Sequence, residues 1–171
     1  EVDNADLTGS LIDLVEEQID DGGLRGIIYA WNLSSSEFKD NVASTRIIER
    51  CEHDVMGLIA LGQALDDFRE IETHPEICVL TRRGRKVPAD SKATVAGLLQ
   101  APLVGLTRTL ATETPEFRVR QIDLDDEALG LPTEIFDAVL GYDQETELIL
   151  RGPSVLVPRL EKVETNLLPP K

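Results

Sequence analysis

Reduction of a ketone by a nicotinamide cofactor needs a proton donor, commonly a tyrosine whose pKa is lowered by a lysine one helical turn away. The chain has two tyrosines, Tyr29 in an apolar stretch and Tyr142 in a polar one. Neither has a lysine four positions further on. We therefore expect neither tyrosine to be catalytic, and we expect Tyr29 and Trp31 to be aromatic residues of the core and its rim.

Cys51 and His53 are the next candidates, because a thiol and an imidazole can bind a metal or form a nucleophile and base. Helical spacing places them on different faces of a predicted helix. The only other cysteine and histidine are Cys78 and His74, which lie well apart from them in sequence. We expect no metal site and no thiol catalysis, and we expect buried or idle thiols in a reducing, intracellular compartment.

An acidic stretch partly matches a calcium-binding loop. Positions 1, 3, 5 and 12 of that template fall on Asp123, Asp125, Glu127 and Glu134. The loop needs glycine at position 6 for its turn, and here that position is Ala128, while Pro132 occupies position 10. Nine acidic residues and no Lys or Arg lie between Arg120 and Arg151. This pattern favours a solvated acidic loop over a cation site.

Phosphate-binding motifs are also missing. The glycines of residues 22–26 precede a predicted strand, whereas a dinucleotide-binding turn follows one, so they indicate a helix end. Residues 82–86 (RRGRK) follow a predicted strand, at the end where α/β folds place ligands. A phosphate or an acidic partner is one interpretation of this basic cluster, and a mobile surface loop is the other.

Composition limits the classes of function. The chain has 171 residues, enough for one domain, and its formal net charge is −15. That charge disfavours binding to nucleic acid or to an anionic membrane. No apolar run approaches the ~20 residues that span a bilayer, and the N-terminus lacks a secretory signal pattern. We expect a soluble, cytoplasmic protein.

Apolar periodicity indicates helices alternating with strands. Helices are predicted at about residues 6–20, 50–68, 98–113 and 132–141. Strands are predicted at about residues 24–31, covered on both faces, then 77–81 and 117–124, with a hairpin formed by 147–151 and 154–160. This alternation predicts right-handed βαβ crossovers, a mostly parallel sheet and an open α/β fold of Rossmann type.

The ends of the chain suggest a segment of a longer polypeptide. Met56 is the only methionine, and the sequence closes with a Pro-Pro pair before Lys171. We predict a domain over residues 1–163 and a linker toward a further domain over residues 164–171.

Four blocks resemble the ketoreductases of modular polyketide synthases. Residues 100–125 (QAPLVGLTRTLATETPEFRVRQIDLD) are similar to that family's QAPLWGLGRVLALEHPELRCRLVDLD without a gap. Residues 24–33 (LRGIIYAWNL) resemble LRGVVHLWGL, and residues 77–82 (ICVLTR) resemble LWLVTR. Residues 147–160 (ELILRGPSVLVPRL) resemble QVALRGGRRLVPRL. The likeness covers most of residues 6–160 in the family's order.

The resemblance implies a structural subdomain that has lost cofactor binding, related also to the pseudo-ketoreductase of animal fatty acid synthase. Its fold would be a truncated Rossmann-like, three-layer α/β unit with no functional dinucleotide site. It would pack against a catalytic half that holds NADPH and reduces β-ketoacyl groups attached to the phosphopantetheine of a carrier protein. Methyltransferase, enoylreductase or dehydratase domains could be further neighbours. No residue of this chain would be catalytic, cofactor-binding or metal-binding.

One departure from the family and two alternative functions stay open. The family's structural half opens with an additional strand, helix and strand, so an edge of the sheet could be absent here or supplied by the parent protein. One alternative is an autonomous α/β enzyme with an unrecognised site, at Cys51 or an acidic cluster. The other is an acidic interaction module for a basic partner, whose association would weaken sharply with salt.

Overall fold

The computed structural model describes residues 4–20, 23–33, 44–70, 74–88, 90, 94–141 and 144–162. The helices and strands within these ranges follow the predicted alternation. In chain order they are α1 (Asn4–Asp20), β1 (Gly26–Tyr29), α2 (Ser44–Asp66), β2 (Glu76–Arg82), α3 (Val95–Glu113), β3 (Val119–Leu124), α4 (Asp126–Leu129), α5 (Pro132–Gly141), β4 (Glu147–Arg151) and β5 (Ser154–Leu156). The predicted linker and Tyr142 lie outside the described residues.

The strands form one sheet in the order β1-β2-β3-β4-β5. Strands β1 to β4 are parallel, with Ile77 opposite Val119 and Ile122 opposite Leu148. Strand β5 turns back antiparallel to β4 through Gly152, whose φ of 54° suits the tight turn of the predicted hairpin. The mostly parallel Rossmann-like sheet is therefore confirmed.

Apolar side chains cover both faces of the sheet. On one face, α1, α2 and α3 bury a cluster that includes Leu58, Leu65 and Leu103 together with Ile77 and Val119 of the strands. On the other face, α4 and α5 bury a second cluster, which includes Leu80, Ile122, Leu148, Ala128 and Ala138. The described part of the molecule thus has three layers.

Within the described residues, no helix is long and apolar enough to cross a membrane.

The third crossover differs from the first two. The connections from β1 to β2 and from β2 to β3 run through α2 and α3 on one face, whereas the connection from β3 to β4 runs through α4 and α5 on the other. The chain moves in the same direction along the sheet each time, so a change of face reverses the hand of the crossover. The prediction of uniformly right-handed crossovers is therefore wrong for one of the three.

Strand β1 is less covered than its apolar sequence predicted. It forms an edge of the described sheet, and Ile28 is 48% exposed. The prediction of a strand buried on both faces is therefore wrong here, because an apolar run by itself does not distinguish an edge strand from a central one. Helix α2 also begins earlier than predicted, at Ser44.

A buried arginine joins α5 to the sheet. Arg120 of β3 is 1% exposed, and its Nη1 atom lies 2.8 Å from Oε1 of Glu76. Its guanidinium also donates to the backbone carbonyls of Ala138 (3.0 Å), Val139 (2.5 Å) and Glu145 (3.1 Å). Two of these carbonyls lie in the last turn of α5, where backbone acceptors lack partners within the helix. Arg120 therefore fixes the C-terminal end of α5 against the sheet.

Candidate functional site

The carboxyl ends of the parallel strands are where an open α/β sheet binds its ligand. In this chain the ends of β2, β3 and β4 and the loop after β2 contain a cluster of buried or half-buried polar side chains, which we call the edge network. Its members are Thr81, Asp90, Asp123 and Arg151. The loop after β2 folds over them, so the chain's own groups occupy this end of the sheet.

Asp123 is the centre of the edge network and is fully buried in β3. Its Oδ1 atom accepts hydrogen bonds from the Thr81 hydroxyl and the Gly84 N–H, both at 2.7 Å. Its Oδ2 atom accepts from the Arg85 N–H at 3.3 Å and from Nη2 of Arg151 at 3.0 Å. Four donors surround one carboxylate, which is how a protein stabilises a buried negative charge without a bound cation.

Arg151, at the end of β4, supplies the positive charge of the network. Its Nε atom lies 3.0 Å from Oδ1 of Asp90, and its Nη2 atom donates to the Arg85 carbonyl at 2.7 Å. Burial opposes ionisation of Asp90, but hydrogen bonds from Arg151 and the Val87 N–H outweigh it and hold the pKa of Asp90 below its usual value. Arg151 thus faces two carboxylates, and Nη1 of Arg83 lies 3.9 Å from Oδ1 of Asp90, so each charge of the network has an opposite charge nearby in the chain.

Two buried side-chain amides, just after β1 and in α3, link neighbouring elements of the fold. Asn32 and Gln100 are both fully buried and hydrogen-bonded to each other. The Asn32 amide also donates to the Leu80 carbonyl at 2.9 Å, and the Gln100 amide donates to the Asn32 carbonyl at 3.0 Å. These bonds connect β1, β2 and α3 at the same end of the sheet as the edge network.

The basic cluster at residues 82–86 makes internal ion pairs. Arg82 Nε donates to Asp126 at 2.6 Å, and Arg83 lies 3.4 Å from the same carboxylate. Arg85 pairs with Glu147, which also binds Arg108. These ion pairs hold the loop across the carboxyl ends of the strands, and the mobility of this surface loop stays a prediction. Its three guanidinium groups are already paired with carboxylates, so a phosphate would have to compete with them.

Glu147 shows the strength of this internal pairing. The pKa of Glu147 is lowered to about 2. The main cause is a hydrogen bond from Arg108, and together with Arg85 it outweighs burial, which by itself would raise the pKa. The carboxylate therefore remains charged throughout the neutral range and keeps both arginines in place.

The loop approaches α3 closely at Gly97. Arg83 has a φ of 52°, an uncommon value for a residue with a side chain. A Cβ atom at Gly97 would lie 2.3 Å from the Arg83 carbonyl oxygen. Glycine in the first turn of α3 thus lets the loop turn its Gly84 and Arg85 N–H groups toward Asp123.

Gly97→Ala is expected to lower the free energy of unfolding by about 2 kcal/mol, because the added methyl group must displace a backbone carbonyl. Gly105→Ala in the same helix is the control, since nothing lies within 4 Å of its Cβ position. It is expected to raise stability by up to about 1 kcal/mol through helix propensity. Urea unfolding of both variants measures the contrast, and equal effects would contradict this account of Gly97.

The four acidic residues of the calcium template do not share one loop. Asp123 is buried in β3, and Asp125 caps α4 by accepting from the Ala128 N–H at 2.7 Å. Glu127 is exposed on α4, while Glu134 lies in the first turn of α5. Among the described residues, no group of three or more His, Cys, Asp or Glu is placed to hold a metal ion. The prediction of a solvated loop is wrong for Asp123 and Asp125, because both carboxylates bind protein groups.

Tyr29 lies in the core, as expected. It is 6% exposed, and its hydroxyl donates to the Asp54 carbonyl at 2.8 Å. Burial, and then the charge of Asp54, raise the pKa of Tyr29 above its usual value, the opposite of what a proton donor in ketone reduction needs. Trp31 packs beside it with ring centroids 5.7 Å apart and is half exposed, as a rim residue should be.

The cysteines and histidines are dispersed. Cys51 is half-buried, with its sulfur 3.7 Å from the Leu99 carbonyl, whereas the His53 side chain is exposed on another side of α2. His74 packs edge-on against Phe117. Burial raises the pKa of both thiols, that of Cys78 to about 12. Raised pKa values oppose formation of the thiolate that nucleophilic catalysis or metal binding requires.

The edge network was missed by the sequence analysis. Asp123 lies between Ile122 and Leu124 in an apolar strand, and Arg151 ends another strand. A charged residue between two large apolar residues is a signal that could have found Asp123, since a charge buried among them must be paired. Arg151 gives no such signal, because Gly152 and Pro153 follow it. Asp90 carried no comparable signal, because it lies in a polar loop.

Solved structures resemble this chain in fold. A multidomain structure with adenylation, ketoreductase and pseudo Asub units, from a keto acid-selecting NRPS module, superposes with a TM-score of 0.72 at 18% identity, covering 93% of this chain and 13% of that one. A C2-type ketoreductase from a modular polyketide synthase gives 0.65 at 20% identity, covering 91% of this chain and 32% of that one. A-type ketoreductases give 0.65 at 22% identity, with 91% and 30% covered. This chain thus spans a third or less of each.

Sequence comparison identifies a family. No curated protein matches the chain. One family model does, over residues 33–160, about three quarters of the chain, and it describes the Rossmann fold domain of the polyketide synthase extender module SpnB. Together with the fold, this match shows that the chain belongs to the SpnB Rossmann-domain family of polyketide synthase extender modules.

Proposed function

We propose that this chain is a non-catalytic structural subdomain of a polyketide synthase ketoreductase region. In this proposal it packs against a catalytic half and stabilises it. That half binds NADPH and reduces β-ketoacyl groups attached to the phosphopantetheine of a carrier protein. The chain itself holds no cofactor.

The observation that supports the proposal most is the edge network. A catalytic Rossmann unit keeps the carboxyl ends of its strands open for a dinucleotide. Here Asp123, Arg151 and the loop after β2 fill that position and satisfy one another. The ketoreductase structures that resemble the chain are about three times as long, which leaves room in such a polypeptide for a separate catalytic half.

The edge formed by β1 is the proposed contact with the catalytic half. Leu14, Ile28 and Trp31 are each about half exposed there, and we call them the edge surface. A cavity of about 180 Å³ beside β1 is lined by these residues together with Leu11, Ile27, Tyr29, Gly57 and Leu61. An apolar groove at the edge of the described sheet suits coverage by another α/β unit, which would also shield the backbone groups on the outer side of β1.

The first test is the coding sequence that follows Lys171, read for about six hundred codons, the length of roughly three to four ordinary domains. We expect a strand followed by a glycine-rich fingerprint and then a tyrosine-containing active site, directly or after an inserted reductase. A stop codon, or a neighbour with no dinucleotide-binding unit, would refute the proposal. Saturable NADPH binding by the 171-residue chain would refute it as well.

Trp31 offers a direct measurement of association, because it is the only tryptophan of the chain and belongs to the edge surface. Mixing the chain with the catalytic half is expected to shift Trp31 fluorescence to shorter wavelength as water leaves the indole. Ile28→Lys should weaken the association at least about tenfold, because it places a charge in an apolar contact.

Leu156→Lys is the matched control for Ile28→Lys. Leu156 is 38% exposed on β5, at the opposite edge of the sheet, and it undergoes the same change of charge and volume. We expect it to change the affinity less than about twofold, within the usual range for a residue outside an interface. If Ile28→Lys and Leu156→Lys weakened binding to the catalytic half equally, β1 would not be the contact.

A further inference from the structure

The outer side of α5 is unusually apolar for a surface helix. Ile135, Ala138 and Val139 pack toward the sheet. Phe136 and Leu140 lie one turn apart on another side of the helix and are 59% and 73% exposed. Two large apolar side chains on one exposed stripe are a common feature of helices that dock a partner.

The sequence segment that contains this stripe is acidic. Nine acidic residues and no basic ones lie between Arg120 and Arg151. The chain uses several of them internally, since Asp123, Asp126 and Glu145 pair with arginines from elsewhere in the sequence. Glu127, Glu134 and Asp137 form no ion pair among the described residues, and Asp137 is next to Phe136 in sequence.

The C-terminal end of α5 is balanced from within the sheet. A helix has a partial negative charge at its C-terminus, which a basic residue in the last turn usually balances. The last turn of α5 contains no basic residue. Arg120 of β3 takes that place, because its guanidinium binds the Ala138 and Val139 carbonyls, so the negative charge of this surface comes from Glu134 and Asp137.

We propose that Phe136, Leu140 and Asp137 form a docking surface for a basic amphipathic helix of a partner protein. The partner's apolar residues would pack between Phe136 and Leu140, in the way that side chains of one helix fill the grooves of another. Its lysines or arginines would pair with Asp137 and Glu134. This inference does not rest on the proposed function, because α5 covers the opposite face of the sheet from α1 and α2.

The test uses the 171-residue chain and two synthetic peptides. One peptide is an amphipathic helix with a leucine stripe flanked by lysines, and the other has the same composition in scrambled order. We expect the helical peptide to bind at least about tenfold more tightly, because both peptides have the same charge and only one presents an apolar face. Equal affinities would overturn the proposal, since net charge alone would then explain the binding.

Matched variants locate the site. Phe136→Ser and Asp137→Lys are each expected to weaken binding of the helical peptide about tenfold. The controls are Ile48→Ser, at a residue 57% exposed on α2, and Glu16→Lys on α1, which makes the same change of charge. If the controls lost as much affinity for the helical peptide as the α5 variants, the assignment of the site to α5 would be overturned. Circular dichroism of all four variants verifies that each is folded.

Discussion

Asp123→Asn is expected to lower the free energy of unfolding by about 3 to 5 kcal/mol, the range for breaking a buried ion pair. Asparagine keeps the shape of the side chain but removes one of the two carboxylate charges that face Arg151, and leaves only Asp90. Its amide group would also face donors, since Gly84, Arg85 and Arg151 all direct N–H groups at this position. Chemical denaturation measured by circular dichroism gives the change.

Asp126→Asn is the matched control for Asp123→Asn. Asp126 makes ion pairs with Arg82 and Arg83, but its side chain is 55% exposed. Because solvent screens an exposed ion pair, we expect Asp126→Asn to lower the free energy of unfolding by at most about 1 kcal/mol. A loss from Asp123→Asn no larger than that of the control would contradict the role assigned to the edge network.

A double variant separates charge pairing from packing. Replacing both Asp123 and Arg151 by leucine removes both charges of this pair and leaves Asp90 with Arg83 at 3.9 Å. The double change should be less destabilising than the sum of the two single changes. Additive losses would indicate that the two side chains act independently. NADPH binding by the double variant, compared with that of the unchanged chain, shows whether loss of this pair gives the edge network any affinity for the dinucleotide.

Arg120→Met is the second change with a large expected effect: we expect it to lower the free energy of unfolding by about 3 to 5 kcal/mol. Methionine fills a similar length but leaves the Ala138, Val139 and Glu145 carbonyls without their donor. The C-terminal end of α5 should then separate from the sheet. Hydrogen exchange is expected to show faster exchange of α5 amides than of amides in α3.

Arg118→Met is the control, because Arg118 binds the same carboxylate as Arg120. Its Nη1 atom lies 3.2 Å from Glu76, but its side chain is 37% exposed. We expect a loss below about 1 kcal/mol, as for other exposed pairs. A comparable loss from both variants would mean that Glu76, and not the anchoring of α5, determines the effect.

The regular elements were predictable because local patterns determine them. The apolar stripe of α3 and the apolar run of β2 identified both elements close to their observed bounds. The four residue blocks that resemble polyketide synthase ketoreductases predicted the family, and the family match over residues 33–160 confirmed it. The short helix α4 was missed, because its Asp125 cap lies in a stretch that is also typical of an acidic loop.

The burial of polar residues was not predictable in the same way. Strand β3 buries all six of its residues, including Arg120, Gln121 and Asp123. Alternation in its sequence is equally compatible with a strand that has one face in water. Which polar residues are buried depends on whether distant groups can pair with them, and Asp123 and Arg151 are 28 residues apart.

The sequence by itself therefore determined the order of helices and strands, the mostly parallel sheet and the relation to polyketide synthases, because these follow from local periodicity and from residue identity. Only the tertiary structure decided that the carboxyl ends of the strands are occupied by Asp123, Asp90 and Arg151, that β1 is an exposed edge, and that the third crossover changes face. The physical reason is that ion pairing and coverage depend on contacts between residues far apart in the chain, which no local pattern records.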